Sequence, residues 1–173
     1  IKAVVVSDLG NIRTNNEDNG LFFKIADENI LREKGYMLIV ADGMGGHNAG
    51  EVASRMATDI ICREYYNQQS SSVEKNLEKA LTLANKTIFE KASSQSAFQG
   101  MGTTCTVLVV IKQNVYFAQV GDSRAYIQKG NSIMQITEDH TYVQQLVNSG
   151  DITAAEAAVH PKRNILTNAM GTK

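Results

Sequence analysis

The sequence predicts an α+β fold with antiparallel strands, and the order of its patterns carries this prediction. Apolar segments of strand length stand on either side of a central stretch in which apolar residues recur at helical spacing. The later strand segments are joined by tight turns, which make consecutive strands antiparallel. Strands and helices are therefore grouped along the chain instead of alternating, which is the α+β order. The 173 residues suit one domain, residues 1–173, with a sizeable core.

Three strands are predicted before the helices. Residues 2–7 form a β-branched run, and residues 21–25 and 35–41 are again apolar. Residues 27–34 form a charged connection between the second strand and the third. The third strand leads directly into Asp42 and a glycine-rich loop.

Two amphipathic helices are predicted in the middle of the chain. Asn48, followed three residues later by Glu51, has the pattern of an N-cap with its capping-box partner. Apolar residues then recur at helical spacing over 52–61, and again over 73–89 after a Ser-rich connector. We expect these helices to pack as an antiparallel pair on a common surface.

The second half of the chain predicts a run of strands and then short helices. The strand segments are 104–111, 115–120, 125–128 and 133–136. Gly130-Asn131 is a hairpin turn signal between the last two. A helix over 139–148 is expected to end at Gly150, and a short capped helix to begin at Thr153. Residues 160–173 show no regular pattern.

The composition argues against two classes of partner. A net charge of −1 gives no broad basic surface for nucleic acid. No apolar run reaches the length needed to span a membrane. The two cysteines, Cys62 and Cys105, have no histidine near them at metal-site spacing, so we expect buried free thiols in a reducing cytoplasm.

Acidic residues stand at the ends of several predicted strands. Asp42 ends one apolar run, Asp122 interrupts another, and Glu17-Asp18 precede a third. A group of carboxylates without Cys or His favours a hard cation such as Mg²⁺ or Mn²⁺. Each acid taken alone is more often a turn residue or a helix cap. The pattern therefore predicts a metal site only if the fold brings these acids together.

The glycine loop and one arginine leave alternatives open. The loop 43–46 could cradle a nucleotide, but it lacks the Lys-Ser/Thr end of a P-loop and does not continue into a dinucleotide fingerprint. Arg13 could bind a phosphate with two parallel hydrogen bonds. It could equally be a solvated turn residue or pair with Glu17. His47 lies beside the loop, and a surface position is its simplest interpretation.

Six motifs together resemble one family, the metal-dependent protein phosphatases of type 2C, and in particular its bacterial Ser/Thr phosphatases. The motifs occur in the family's order and span the chain: SDLGNIRTNNEDN (7–19), ADGMGGHNAGEVAS (41–54), GMGTTC (100–105), VGDSRAY (120–126), TEDHTYVQQLVNSGDIT (137–153) and HPKRNILTNAMGT (160–172). The resemblance implies a central antiparallel β-sandwich flanked by helices, in α-β-β-α layers.

The resemblance also implies a centre of two Mn²⁺ or Mg²⁺ ions, with a possible third. Asp42 matches the acid that bridges both ions, and Gly43 matches the residue that lends its carbonyl oxygen. Glu17 matches a ligand of the second ion in some members, and Asp18 acts directly or through water. Asp122 matches a ligand of the third, weaker ion.

The implied activity is hydrolysis of phosphoserine and phosphothreonine in proteins by a metal-bridged hydroxide, which reverses Ser/Thr kinases. Arg13 matches the arginine that binds the phosphate. Residues 142–165 match the flap beside the substrate cleft. Met44 stands where many eukaryotic relatives have a histidine that is thought to protonate the leaving group. The implied partners are phosphorylated proteins, including a Ser/Thr kinase.

The family's pattern continues beyond the motifs found here. Two further acids that match metal ligands, in Ser-Asp-Gly and Asp-Asn contexts, are absent from residues 1–173. We therefore expect the C-terminal part of the fold to be missing and the 173-residue chain to be poorly active. The alternative function is a catalytically incompetent phosphatase-like module that binds phosphoproteins or a kinase.

Overall fold

The computed structural model describes residues 1–11, 14–45, 49–70 and 72–172. Its elements, in chain order, are β1 (Asp18–Phe23), α1 (Glu28–Lys34), β2 (Tyr36–Met44), α2 (Ala49–Asn67), α3 (Val73–Ser94), β3 (Gly102–Thr103), β4 (Cys105–Ile111), β5 (Asn114–Val120), β6 (Tyr126–Lys129), β7 (Ser132–Gln135), α4 (Tyr142–Ser149) and α5 (Ala154–Val159). The α+β class with antiparallel sheets is confirmed.

The main sheet has five strands, and all its pairings are antiparallel. Its order is β1-β2-β4-β5, with the short β3 paired to the end of β2. The register aligns Leu21 with Ile39, Ile39 with Val107, and Val107 with Ala118. Ile39 and Val107 belong to the hydrophobic core, and Leu21 packs against it.

The helix pair α2–α3 packs against one face of this sheet, as its periodicity predicts. Met37 and Ile39 of β2 and Val107 and Val109 of β4 are almost fully buried. They form one core cluster with apolar side chains of both helices, among them Ile61 and Ile88. Cys62 and Cys105 are free and buried in the same cluster, which confirms the prediction of buried thiols.

The prediction of a strand over residues 2–7 is wrong. These residues pair with no strand of the described chain, and Val4 and Val6 are 85% and 84% exposed. β-branched residues favour a strand only where a neighbouring strand and a packing surface are available. Val5 nevertheless lies directly over Gly20 of β1, since a Cβ added to that glycine would come within 2.6 Å of the valine Cγ1.

The charged connection at 27–34 contains a helix that the sequence pattern did not indicate. Asp27 caps α1 by accepting hydrogen bonds from the backbone of Asn29 and Ile30. Gly35 ends the helix with φ of 72°. Only Leu31 of this helix is buried, so there is no apolar periodicity to detect.

The second half of the chain follows the prediction closely. β6 and β7 form a two-stranded hairpin whose residues are all exposed. α4 begins after the Thr141 cap and ends at Gly150, whose φ is 81°. Thr153 and Glu156 form the capping box of α5. None of the described helices is both long and apolar enough to cross a bilayer.

Candidate active site

Asp42 lies near the end of β2, where the strand is held by hydroxyl-bearing residues. Its N–H donates to Thr104 Oγ1 over 2.9 Å. Its carbonyl oxygen accepts from the Thr104 N–H at 2.9 Å and from Thr103 Oγ1 at 3.0 Å. The sequence predicted this strand to end at residue 41, but pairing of Gly43 with Thr103 extends it to Met44. Asp42 is therefore part of the sheet rather than of a loop.

Glu17 and Asp18 lie beside the end of β2, Asp18 as the first residue of β1 and Glu17 directly before it. The register of β1 and β2 places Asp18 opposite Asp42. The carbonyl oxygen of Glu17 accepts from the Gly43 N–H at 3.1 Å and from the Ser54 hydroxyl at 2.6 Å. These bonds fix the backbone of Glu17 between β2 and the first turns of α2.

Two glycines bring the start of α2 against the end of β2. A Cβ on Gly43 would lie 2.1 Å from the carbonyl oxygen of Gly50, so no other residue fits there without displacing backbone. A Cβ on Gly50 would lie 2.7 Å from Glu17 Oε1. The missing side chain at Gly50 thus makes room for the Glu17 carboxylate.

Asp122 follows β5 in a loop that is held from two sides. Gly121 has φ of 99°, and a Cβ there would lie 2.6 Å from the methyl carbon of Thr104. The Gly121 N–H donates to His140 Nδ1 at 3.2 Å, and the His140 N–H donates to the Gly121 carbonyl at 3.0 Å. Ser123 Oγ lies 2.6 Å from Thr104 Oγ1.

A cavity of about 880 Å³ joins these acids. Glu17, Asp42 and Asp122 contribute to its lining, together with Gly43 and Met44. Four of the residues predicted as metal ligands therefore line the same cavity. Asp18 is opposite Asp42 in the sheet but does not line the cavity. Arg13, His47 and Asn48 lie outside the described residues.

The far wall of the cavity comes from the segment predicted to be irregular. Its lining residues are Asn164, Leu166, Thr167, Asn168, Ala169 and Thr172. Thr103 and Met170 exchange two backbone hydrogen bonds, of 3.1 and 2.9 Å, which pin this segment to β3. The sequence of this segment belongs to the motif at 160–172. Its local residue pattern does not indicate that it forms a cavity wall, because the contact of Met170 with Thr103 joins positions far apart in the chain.

A charged pair borders the cavity. Arg124 donates to both carboxylate oxygens of Asp139, at 2.9 and 2.6 Å. Hydrogen bonding to Asp139 raises the pKa of Arg124, so the guanidinium stays charged. Both residues line a neighbouring pocket of about 370 Å³, which shares Asp122 and Asn164 with the larger cavity.

The donor set of the cavity fits a hydrated hard cation. The carboxylates of Glu17, Asp42 and Asp122 are oxygen donors, and no Cys or His stands among the lining residues described. Within the described ranges, no three His, Cys, Asp or Glu side chains are grouped closely enough to hold a metal ion by themselves. Mg²⁺ is usually held by one or two carboxylates and keeps several water molecules, which agrees with this spacing.

Comparison with known proteins identifies the family. The family model for Protein phosphatase 2C matches residues 2–146. The chain belongs to the protein phosphatase 2C family. This match covers most of the chain and includes Glu17, Asp42 and Asp122.

Individual relatives agree with the family match. The chain is 39% identical to the serine/threonine phosphatase stp of Listeria welshimeri over 171 residues, which are 96% of this chain and 66% of that protein. The crystal structure of serine/threonine phosphatase Stp1 from Staphylococcus aureus superposes with a TM-score of 0.85 at 39% identity, covering 96% of this chain and 64% of that one. The chain thus spans slightly less than two thirds of the length of these relatives.

A further solved structure carries metal. It is the catalytic domain of serine threonine protein phosphatase PstP in complex with two manganese ions. The chain is 32% identical to it with a TM-score of 0.77, covering 96% of this chain and 65% of that one.

Proposed function

We propose that this protein hydrolyses phosphoserine and phosphothreonine in proteins with the help of Mn²⁺ or Mg²⁺, and so reverses Ser/Thr kinases. The observation that carries the proposal is that Glu17, Asp42 and Asp122 line one cavity of a protein phosphatase 2C domain. The names of the relatives support the reaction type. The phosphorylated substrate proteins, a kinase among them, are proposed as partners.

The cations are proposed to be held by the carboxylates of Asp42, Glu17 and Asp122 and by the Gly43 carbonyl oxygen. Asp18, opposite Asp42 on β1, is proposed to act directly or through water. Bound cations would supply activation of a water nucleophile and neutralise the charge of the phosphate. Two ions are supported by the manganese complex of a relative. A third ion at Asp122 rests on the family resemblance alone.

The residues of the chain have separate tasks in this proposal. The Thr104 hydroxyl accepts from the Asp42 N–H and the Thr103 hydroxyl donates to the Asp42 carbonyl, so that the carboxylate projects from a rigid strand. Arg13 is proposed to bind the phosphate oxygens and orient the phosphoryl group. The thioether of Met44 has no proton to donate, so the leaving group must be protonated by another group.

The substrate approaches from the side of the segment proposed as a flap, residues 142–165. Asn164 lines the cavity together with the three acids. α4 and α5 form the body of this segment, and its two ends are joined by the Tyr142 N–H, which donates to the Ile165 carbonyl at 2.9 Å. The whole 1–173 chain is proposed to work as one domain in the cytoplasm, where buried free thiols such as Cys62 and Cys105 are stable.

Phosphate release from a phosphothreonine peptide tests this function. Incubated with Mn²⁺, the 173-residue chain should release phosphate from the peptide. A chelator should stop the release. A rate that is unchanged by the chelator would contradict the proposal. Binding of the peptide without any release would instead favour a phosphatase-like binding module.

Arg13→Ala separates phosphate binding from metal binding in the same assay. The variant should raise KM for the peptide by roughly tenfold while its affinity for Mn²⁺ stays near that of the wild type. Loss of Mn²⁺ affinity with unchanged KM would contradict the role assigned to Arg13.

A further inference from the structure

A pair of side-chain hydroxyls connects the two acid-bearing segments of the cavity. Thr104 is 2% exposed and lies at the break between β3 and β4. Its Oγ1 accepts the backbone N–H of Asp42 at 2.9 Å and lies 2.6 Å from Ser123 Oγ. Ser123 follows Asp122 directly. The side chains of Thr104 and Ser123 therefore link the backbone of Asp42 to the loop that carries Asp122.

The hydrogen-bonding capacity of the Thr104 hydroxyl allows it to serve both partners. A hydroxyl has one proton and two acceptor lone pairs, so Thr104 Oγ1 can accept from Asp42 and still share a second hydrogen bond with Ser123. The carbonyl oxygen of Ser123 in turn accepts from Thr106 Oγ1 at 2.6 Å. The Asp122 loop is thus tied at two points, to Thr104 directly before β4 and to Thr106 within β4.

Packing alone does not explain a threonine at position 104. The methyl group of Thr104 fills the space beside Gly121. A valine would fill that space equally well. It would leave the N–H of Asp42 without its acceptor and Ser123 Oγ without its partner. The hydroxyl, not the shape, is what joins the two segments.

We propose that Thr104 and Ser123 are positioning residues that hold Asp42 and Asp122 at a fixed separation for cation binding. The inference rests on the proposed function, because it assigns a task to these hydroxyls only if the acids bind cations. Outer partners of metal ligands typically contribute 10–100-fold to metal affinity. The hydroxyl pair therefore contributes to Mn²⁺ affinity although neither residue is a predicted ligand.

Mn²⁺ titration followed by the electron paramagnetic resonance of free Mn²⁺ tests this inference without depending on turnover. Thr104→Val should weaken Mn²⁺ binding by about tenfold, while Thr104→Ser should stay within about twofold of the wild type. Ser123→Ala should weaken binding by roughly threefold. The double variant Thr104→Val/Ser123→Ala should bind no more weakly than Thr104→Val alone, because both substitutions remove the same link.

Thr58→Val is the matched control. Thr58 is also a buried threonine, and its hydroxyl donates to the Arg55 carbonyl at 3.0 Å and accepts from Asn19 Nδ2 at 2.7 Å. This variant loses a buried hydroxyl in α2, outside the link between the two acids. It should lower the unfolding temperature but leave Mn²⁺ affinity within about twofold of the wild type.

The outcomes separate the inference from the function. Wild-type affinity in folded Thr104→Val, or an equal loss in Thr58→Val, would overturn the positioning role while leaving the proposed function in place. If Thr104→Val does not fold, wild-type affinity in Ser123→Ala overturns it instead. A wild-type chain that binds no Mn²⁺ would overturn both the function and the inference.

Discussion

The middle of the main sheet and its cavity end are built from the same strands but by different means. In the middle, Ile39 and Val107 are paired across β2 and β4 and pack against the helix pair. A few residues further along β2, the strand presents Asp42, and its partners are the hydroxyls and backbone of Thr103 and Thr104. One region holds the fold by apolar burial, and the other positions carboxylates by hydrogen bonds.

Because of this difference, the middle of the sheet and its cavity end should contribute separately to stability and to cation binding. Apolar burial is non-directional and tolerates small shifts of the chain. Cation binding requires carboxylates at fixed positions, and hydrogen bonds to rigid backbone supply that directionality. Substitutions in the middle should therefore change the free energy of unfolding, whereas substitutions at the cavity end should change cation affinity and turnover.

Asp42→Ala at the cavity end should give the largest effect. Phosphate release should fall by roughly 1000-fold or more, equivalent to about 4 kcal/mol in the barrier, because the proposed shared ligand of the cations is lost. Phosphate release and titration calorimetry with Mn²⁺ measure the two consequences, and circular dichroism checks the fold. Normal Mn²⁺ affinity in this variant would contradict the assignment of Asp42 as a cation ligand.

Ile88→Ala in the middle should mainly destabilise the fold. Ile88 is fully buried in α3, so the free energy of unfolding should fall by about 3 kcal/mol from lost burial and the cavity left behind. Urea unfolding measures this, with Leu83→Ala, exposed on the same helix, as a control that should change little. A large loss of Mn²⁺ affinity in folded Ile88→Ala would show that the two regions are not separable.

Gly50→Ala probes the junction of the two regions. An alanine in a helix normally stabilises by about 1 kcal/mol relative to glycine. Here the new Cβ would lie 2.7 Å from Glu17 Oε1 and 2.9 Å from the carbonyl carbon of Gly43, so we expect a loss of about 2 kcal/mol and weaker Mn²⁺ binding. Thermal unfolding and Mn²⁺ titration measure the two effects. A variant that is more stable than the wild type and binds Mn²⁺ with the same affinity would contradict this expectation.

The pH dependence of stability tests the apolar core on the cavity side of the sheet, where Cys105 begins β4. Burial raises the pKa of the Cys105 thiol from 9.0 to about 12. The unfolded chain loses this proton above pH 9 while the folded chain keeps it, so stability is unaffected below pH 9 and falls as the pH rises from 9 towards 12. Between pH 8 and pH 10, the wild type should lose roughly 1 kcal/mol more than Cys105→Ala in urea unfolding. Equal losses would show that Cys105 does not titrate this way.

Regular elements were predictable where the pattern is local. The stripes of α2 and α3 and the apolar run that leads to Asp42 follow directly from residue spacing, because burial against one surface imposes a fixed period. Turn residues also acted locally, as at Gly150, where a positive φ ends α4. The prediction of a strand at residues 2–7 was wrong because a strand needs a partner strand, and the local sequence does not show whether one is available.

The site was only partly predictable for a related reason. Asp42, Glu17 and Asp122 stand out because each is an acid beside an apolar segment. The supporting residues Thr103, Thr104 and Ser123 have no such signature, since their hydrogen bonds join positions far apart in sequence. Asp18 was predicted together with Glu17, but alternation along the strand separates neighbouring side chains, and only Glu17 lines the cavity.

The most direct test is the effect of Mn²⁺ on the unfolding free energy of the wild type and of Asp42→Asn, which keeps the size of the side chain. A cation that binds only the folded chain stabilises it by about 2.7 kcal/mol at one hundred times its dissociation constant. The account predicts this gain for the wild type and less than about a third of it for Asp42→Asn at the same Mn²⁺ concentration. Equal gains in both proteins, or no gain in the wild type, would contradict a cation centre at Asp42.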